Sequence, residues 1–118
     1  MKIDLVNNVI CLVDEFGISK KLSPLSTRFK DVEILIDGRL LVCEDYFEFS
    51  YQDKSNLYCL NRALDIEWFL PMPSLSSEND LYVGFTSWGD NVFANSWDCY
   101  RVEVDVNSGL IKSVQFTK

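Results

Sequence analysis

Val9-Ile-Cys-Leu-Val-Asp-Glu-Phe-Gly-Ile-Ser-Lys-Lys-Leu-Ser-Pro-Leu25 aligns with Leu57-Tyr-Cys-Leu-Asn-Arg-Ala-Leu-Asp-Ile-Glu-Trp-Phe-Leu-Pro-Met-Pro73 at a shift of 48 residues. Cys-Leu recurs in register, as do Ile18 with Ile66 and Leu22 with Leu70. A third copy, Val102-Glu-Val-Asp-Val-Asn-Ser-Gly-Leu-Ile-Lys112, fits at a shift of 44. Self-similarity at such a period marks a repeated supersecondary unit. Each copy reads as strand, short polar turn, strand. Asp14-Glu-Phe-Gly17 and Asn107-Ser-Gly109 supply turn chemistry between β-branched runs, with glycine where the loop needs a positive φ.

Outward from these hairpins lie two further strand pairs. Val32–Ile36 and Arg39–Tyr46 are joined at Asp37-Gly38, and Leu81–Ser87 and Asn91–Ser96 at Trp88-Gly-Asp90. The whole predicts a single all-β domain over residues 1–118, of about ten strands, built as a hairpin plus two four-stranded meanders. Ser23–Arg28 and Pro71–Asp80 hold the prolines and many of the serines, so both are expected as connecting loops. Helix is limited to one turn after Ser76, where Ser-Ser-Glu-Asn could cap. The stretch Leu57-Tyr-Cys-Leu-Asn, followed by Glu67-Trp68, resembles β-propeller blades of the quinoprotein or WD-repeat type. A closed propeller needs at least four blades. One hairpin and two four-stranded meanders, two and a half blades, therefore predict a twisted antiparallel sheet, a sandwich or a half-open barrel.

Charge is distributed unevenly. Between Asp37 and Asp105 stand 13 acidic and 13 aromatic residues against 4 basic ones, whereas residues 1–36 balance 5 acids with 5 bases. The net charge of −7 disfavours direct nucleic-acid binding, because phosphate needs the opposite sign. Cys11, Cys43, Cys59 and Cys99 form no CxxC pair, and histidine is absent, so no zinc set is complete and the cysteines read as free core thiols. No apolar run reaches the roughly 20 residues of a membrane span, and the amino-terminal residues do not read as a signal peptide. Cytoplasmic residence, with no membrane partner, is the expectation.

Two stretches are candidates for binding. In Glu44-Asp-Tyr-Phe-Glu-Phe-Ser-Tyr-Gln-Asp53, continued strand geometry would place Glu44, Tyr46 and Glu48 on one face and Asp45, Phe47, Phe49 and Tyr51 on the other. Glu44 and Glu48 would then stand roughly 13 Å apart, too far for a glycosidase pair. The strip suits docking of Lys and Arg side chains, or is the solvated outer face of a sheet. In Trp88-Gly-Asp-Asn-Val-Phe-Ala-Asn-Ser-Trp-Asp98, Trp88 beside Asp90 would anchor a partner from a loop. Trp97 packs in the core or shares that role, and Trp68 belongs to the core.

Catalysis has little support, since the usual general base at neutral pH is missing and no nucleophile has a base close in sequence. No cofactor or metal is expected, although Asp90-Asn-Val-Phe and Asp105-Val-Asn-Ser-Gly leave calcium at a turn open.

An acidic, histidine-free, aromatic all-β chain is similar in general character to the immunity proteins that bacteria make against their own secreted toxins. That resemblance implies a non-catalytic inhibitor of a basic toxin domain, often a nuclease such as an RNase. Glu44, Asp45, Tyr46, Glu48 and Asp53 would then meet the toxin's basic cleft, and Trp88 with Asp90 would hold one edge. The alternative is a scaffold or subunit with blade-like repeats that binds a peptide by strand addition. A third reading is an enzyme with a carboxylate base in an open barrel.

Overall fold

A computed structural model describes residues 2–88 and 91–117. Eleven strands follow one another along the chain: β1 Lys2–Val6, β2 Val9–Asp14, β3 Gly17–Leu22, β4 Phe29–Ile34, β5 Leu40–Glu44, β6 Leu57–Leu60, β7 Ile66–Phe69, β8 Tyr82–Trp88, β9 Asn91–Ser96, β10 Tyr100–Asp105 and β11 Leu110–Phe116. They form three antiparallel meanders, β1-β2-β3, β4-β5-β6-β7 and β8-β9-β10-β11. The hairpins read from the repeat are β2-β3, β6-β7 and β10-β11, with β4-β5 and β8-β9 upstream of the last two. The unexpected strand is β1, which turns the first hairpin into a three-stranded sheet. Residues 76–80 form turns and no helix, and no described helix is long and apolar enough to cross a membrane.

The three sheets stack face to face with the second in the middle. Leu40, Val42, Tyr58 and Leu60 pack with Ile10 and Leu12 of the first sheet, while Leu41, Cys43, Leu57 and Cys59 pack with Val92, Ala94, Val102 and Val104 of the third. Alternation along β5 and β6 thus serves two cores, which is why both strands read as continuous apolar runs. Each fully buried Leu or Val contributes roughly 1.5–3 kcal/mol over its exposed state.

Polar groups fix how the sheets join. The buried Asn56 side chain accepts from Tyr82 N–H at 2.9 Å and donates to Tyr82 C=O at 2.6 Å, so one amide does the work of a backbone bridge between the second and third sheets. Asn8 Oδ1 accepts from Phe29 N at 2.9 Å, and Lys20 Nζ lies 2.8 Å from Asp65 Oδ1. Those two contacts seat the first sheet with β1 toward β4 and β3 toward β7. Gly109, at φ 74°, closes the β10-β11 turn where a Cβ would stand 2.4 Å from the Trp68 ring, so only glycine fits there.

Aspartate and asparagine side chains shape the turns in a recurring way. Asp14, Asp37, Asp45 and Asp105 each accept from the backbone N–H two residues on, those of Phe16, Arg39, Phe47 and Asn107, and Asn61 does the same with Ala63. Such Asx turns end a strand by offering its backbone a partner outside the ladder. The bonds to Arg39, Phe47 and Asn107 N–H are the main reason that the Asp37, Asp45 and Asp105 carboxyls titrate below the ordinary range.

Candidate functional site

The strand expected over Arg39–Tyr46, whose continuation would have aligned Glu44, Tyr46 and Glu48, stops at Glu44. Glu44 is fully buried, and its carboxylate accepts from the backbone N–H groups of Leu25 at 2.7 Å, Ser26 at 3.1 Å and Thr27 at 3.0 Å. The Tyr58 hydroxyl donates to the same carboxylate. Four donors from an incoming loop and a neighbouring strand saturate it, so Glu44 is a structural anchor and offers nothing to a partner. This corrects its place on an exposed acidic strip. Burial and this contact push the Tyr58 phenol well above its ordinary pKa.

Beyond Glu44 the chain leaves the sheet. Asp45 turns the backbone by capping Phe47 N–H and pairs with Arg28 at 2.9 Å, so it too is committed locally. Glu48, Gln52 and Asp53 adopt positive φ angles of 62°, 47° and 57°, which excludes the period-two alternation on which a shared face of Glu44, Tyr46 and Glu48 depended. Glu48 and Asp53 are exposed on this loop, while Tyr46 is half-buried with its ring 5.1 Å from that of Trp97. Trp97 is 63% exposed and is not a core residue.

Trp88 is 78% exposed, as its place next to a turn requires. It lies at the far end of β8 from Tyr82, roughly 20 Å away by the rise of a strand. Tyr82 is the end of β8 that meets Asn56, Cys43 and the Glu44 region, and it pairs with Ser96, beside Trp97. The residues expected to form one surface therefore divide between opposite ends of the stack, with Tyr46 and Trp97 together and Trp88 apart. Asp90 lies outside the described residues.

A different set converges along the open flank of β7. A groove of about 1120 Å³ runs between β7, residues 49–55 and the 70–81 connection. Tyr51, Trp68 and Phe69 supply aromatic walls, and Asp53, Glu67, Glu78 and Asp80 supply carboxylates against the single ammonium of Lys54. Tyr51 stacks on Phe69 at 5.9 Å between centroids, and Lys54 Nζ lies 6.0 Å from the centre of the same ring. Asp80 is only 2% exposed; its Oδ1 accepts from Asp98 N at 3.0 Å, while Oδ2 and the Trp68 indole N–H are buried without a partner. Buried polar atoms are ordinarily paired, so these two atoms, on residues that line the groove, depart from that rule. Among the described residues no basic side chain lies within ion-pair distance of Glu48, Asp53, Glu78 or Asp80, whereas Glu67 is 3.5 Å from Arg39. Of the described partner-binding residues expected from the sequence, Asp53 alone lines this groove, together with Phe49 and Tyr51 of the same stretch and with Trp68, expected in the core.

The model of the family DUF7957, described as a domain of unknown function, matches residues 18–116. The chain belongs to the DUF7957 family. No curated protein matches it.

In this DUF7957 chain the described residues gather no group of three or more acidic or cysteine side chains able to hold a metal ion. The cysteines are unpaired, and Cys11, Cys43 and Cys59 are buried. Burial raises the Cys43 thiol to about 12 and the Cys59 thiol to about 11, so both stay protonated and unreactive at neutral pH. What the β7 groove of the DUF7957 chain can do chemically is attract, orient and desolvate cations. Its carboxylates attract them and its rings accept them on their faces.

Proposed function

We propose that this chain is a non-catalytic inhibitor that binds and neutralises a cationic protein domain, in the manner of the immunity proteins bacteria make against their own toxins. The carrying observation is the β7 groove, where Asp53, Glu67, Glu78 and Asp80 face one lysine and aromatic rings line the same walls. A nuclease that holds phosphates with Lys and Arg presents the complementary surface. Long-range attraction speeds encounter, and burial of an Arg or Lys side chain between Trp68, Phe69 and Asp80 slows release. Asp80, whose Oδ2 has no partner within the chain, adds its charge to that attraction from beneath the groove wall.

The test pairs the chain with a toxin domain encoded beside its gene. Binding is followed by surface plasmon resonance between 50 and 300 mM salt, with Asp80→Asn and the double variant Glu67→Gln/Glu78→Gln alongside. Asn at position 80 keeps the acceptor for Asp98 N–H, so folding is preserved. Each variant should weaken binding about tenfold or more, the loss expected for one desolvated charge pair. An affinity indifferent to both salt and these substitutions would show that the groove is not the docking surface.

A further inference from the structure

The second and third sheets begin with a strand that the first sheet lacks. The repeat aligns β2 with β6 and β3 with β7, which makes β1 the counterpart of β5. On β5 the flank away from β6 is paired with β4, and on β9 the flank away from β10 is paired with β8. Among the described residues β1 pairs with β2 alone, so the corresponding flank of β1 carries no strand there.

The stack shows what a strand in that place would touch. β8 lies along one face of β4: Lys30 Nζ donates to the Val83 carbonyl, Ser87 Oγ donates to Glu33 Oε1 at 2.6 Å, and a Cβ on Gly84 would stand 3.2 Å from Asp31 Oδ2. The first strand of one sheet thus covers the first strand of the next. The opposite face of β4 carries Val32 and Ile34, opposite Val42 and Leu40, and so looks toward the first sheet. Ile34 is 58% exposed there, and Leu5, which shares with Ile10 the face of the first sheet that looks back toward the second, is 52% exposed. An unpaired main-chain edge and an uncovered apolar ledge meet at one place.

We propose that the open edge of β1 binds an extended strand of a partner polypeptide, antiparallel to β1, whose alternate apolar side chains cover Leu5, Val32 and Ile34. The chemistry of the occupant follows from the strands that complete the other two sheets, Phe-Lys-Asp-Val-Glu-Ile in β4 and Tyr-Val-Gly-Phe-Thr-Ser-Trp in β8. Both are β-branched or aromatic at intervals, carry polar residues between, and contain no proline. Main-chain bonds to β1 supply affinity, and the ledge selects the side chains. This site is independent of the β7 groove, since it lies on the β4 flank and rests on backbone pairing, which salt barely screens.

The probe is a synthetic peptide of residues 28–36, with a control in which proline replaces Val32. Amide hydrogen exchange of the full chain is measured at 0.3 M salt, where groove electrostatics are damped. At saturation the β1 amides that point away from β2 should exchange about tenfold more slowly, and the proline control should protect nothing. Ile34→Asp, an exposed position that leaves the fold intact, should weaken peptide binding about tenfold. The proposal is overturned if millimolar peptide leaves β1 exchange unchanged or if Ile34→Asp binds as well as the parent. It is equally overturned if sedimentation shows β1 already closed by a second copy of the chain.

Discussion

Replacing Glu44 by Gln tests how the second sheet is tied to the loop that enters it. The substitution keeps size and shape but replaces one carboxylate oxygen by an NH2 group. Seating the remaining oxygen at the Oε1 position retains the bonds from Ser26 and Thr27 N–H and turns the amide toward Leu25 N–H, donor against donor. The Tyr58 hydroxyl can rotate to accept, so Leu25 N–H is the group left stranded. An unpaired buried N–H costs about 1–3 kcal/mol, and the two retained bonds lose the strengthening that a charged acceptor gives, about 1 kcal/mol more in total. The expected loss is about 3 kcal/mol for Glu44→Gln. Glu44→Ala, which strands all four donors, should cost about 5 kcal/mol, and Tyr58→Phe, which strands none on the backbone, about 1–2 kcal/mol. Urea unfolding followed by tryptophan fluorescence reads these as shifts of midpoint at constant slope. A Glu44→Gln variant within 0.5 kcal/mol of the parent would refute the cradle and return Glu44 to the set of residues available to a partner.

Three further outcomes are expected. Gly109→Ala should destabilise by about 2–3 kcal/mol, because a positive φ costs about 1–2 kcal/mol without glycine and the Cβ meets Trp68 at 2.4 Å; unchanged thermal unfolding would place that ring elsewhere. Asp37, Asp45 and Asp105, held low mainly by backbone N–H groups, and Asp65, held low by Lys20, are depressed in the folded state. Their contribution is therefore fully present above the unfolded carboxyl value of about 3.9 and is lost as pH falls through the folded values. Urea midpoints should be flat from pH 7 to about pH 5 and drop below about pH 4, and a rise on the acid side would contradict the Asx turns. Thiol titration at pH 8 should modify Cys99, which is partly exposed, well before Cys11, Cys43 and Cys59, which react only on unfolding; rapid modification of several thiols would contradict the packing.

The strand plan could be read from the chain because hairpins are written locally. Asp14 to Gly17 and Asn107 to Gly109 carry their own turn chemistry, and alternation needs only neighbours. β1 escaped notice because Lys2-Ile-Asp-Leu-Val6 is short and half charged, and it becomes a strand only through pairing with β2. Glu44 misled for the opposite reason. It sits in a strand-like run, and the amides that bury it come from 17 to 19 residues earlier, a distance no local pattern reports. Asp45 did carry a signal, since an aspartate at a strand end that can bond the amide two residues on marks a turn, and Asp14, Asp37 and Asp105 repeat it. No local feature pointed to Asp80, whose position on the β7 groove depends on how the 70–81 connection folds back.

The acidity that suggested a cation-binding surface therefore divides into two groups, and only one is left uncommitted within the chain. Asp14, Asp37, Asp45 and Asp105 are spent on turns, Glu44 on the loop at Leu25–Thr27, and Asp65 on Lys20. Their charges are matched by backbone donors or by bases within the chain. Glu48, Asp53 and Glu78 have no such match among the described residues, Asp80 has a backbone donor on only one of its two oxygens, and three of these four carboxylates line the β7 groove. Substitution of the first group should lower stability and leave association rates of the folded protein nearly unchanged. Substitution of the second should do the reverse, because charges unpaired in the free protein contribute most to the field that a cationic partner meets.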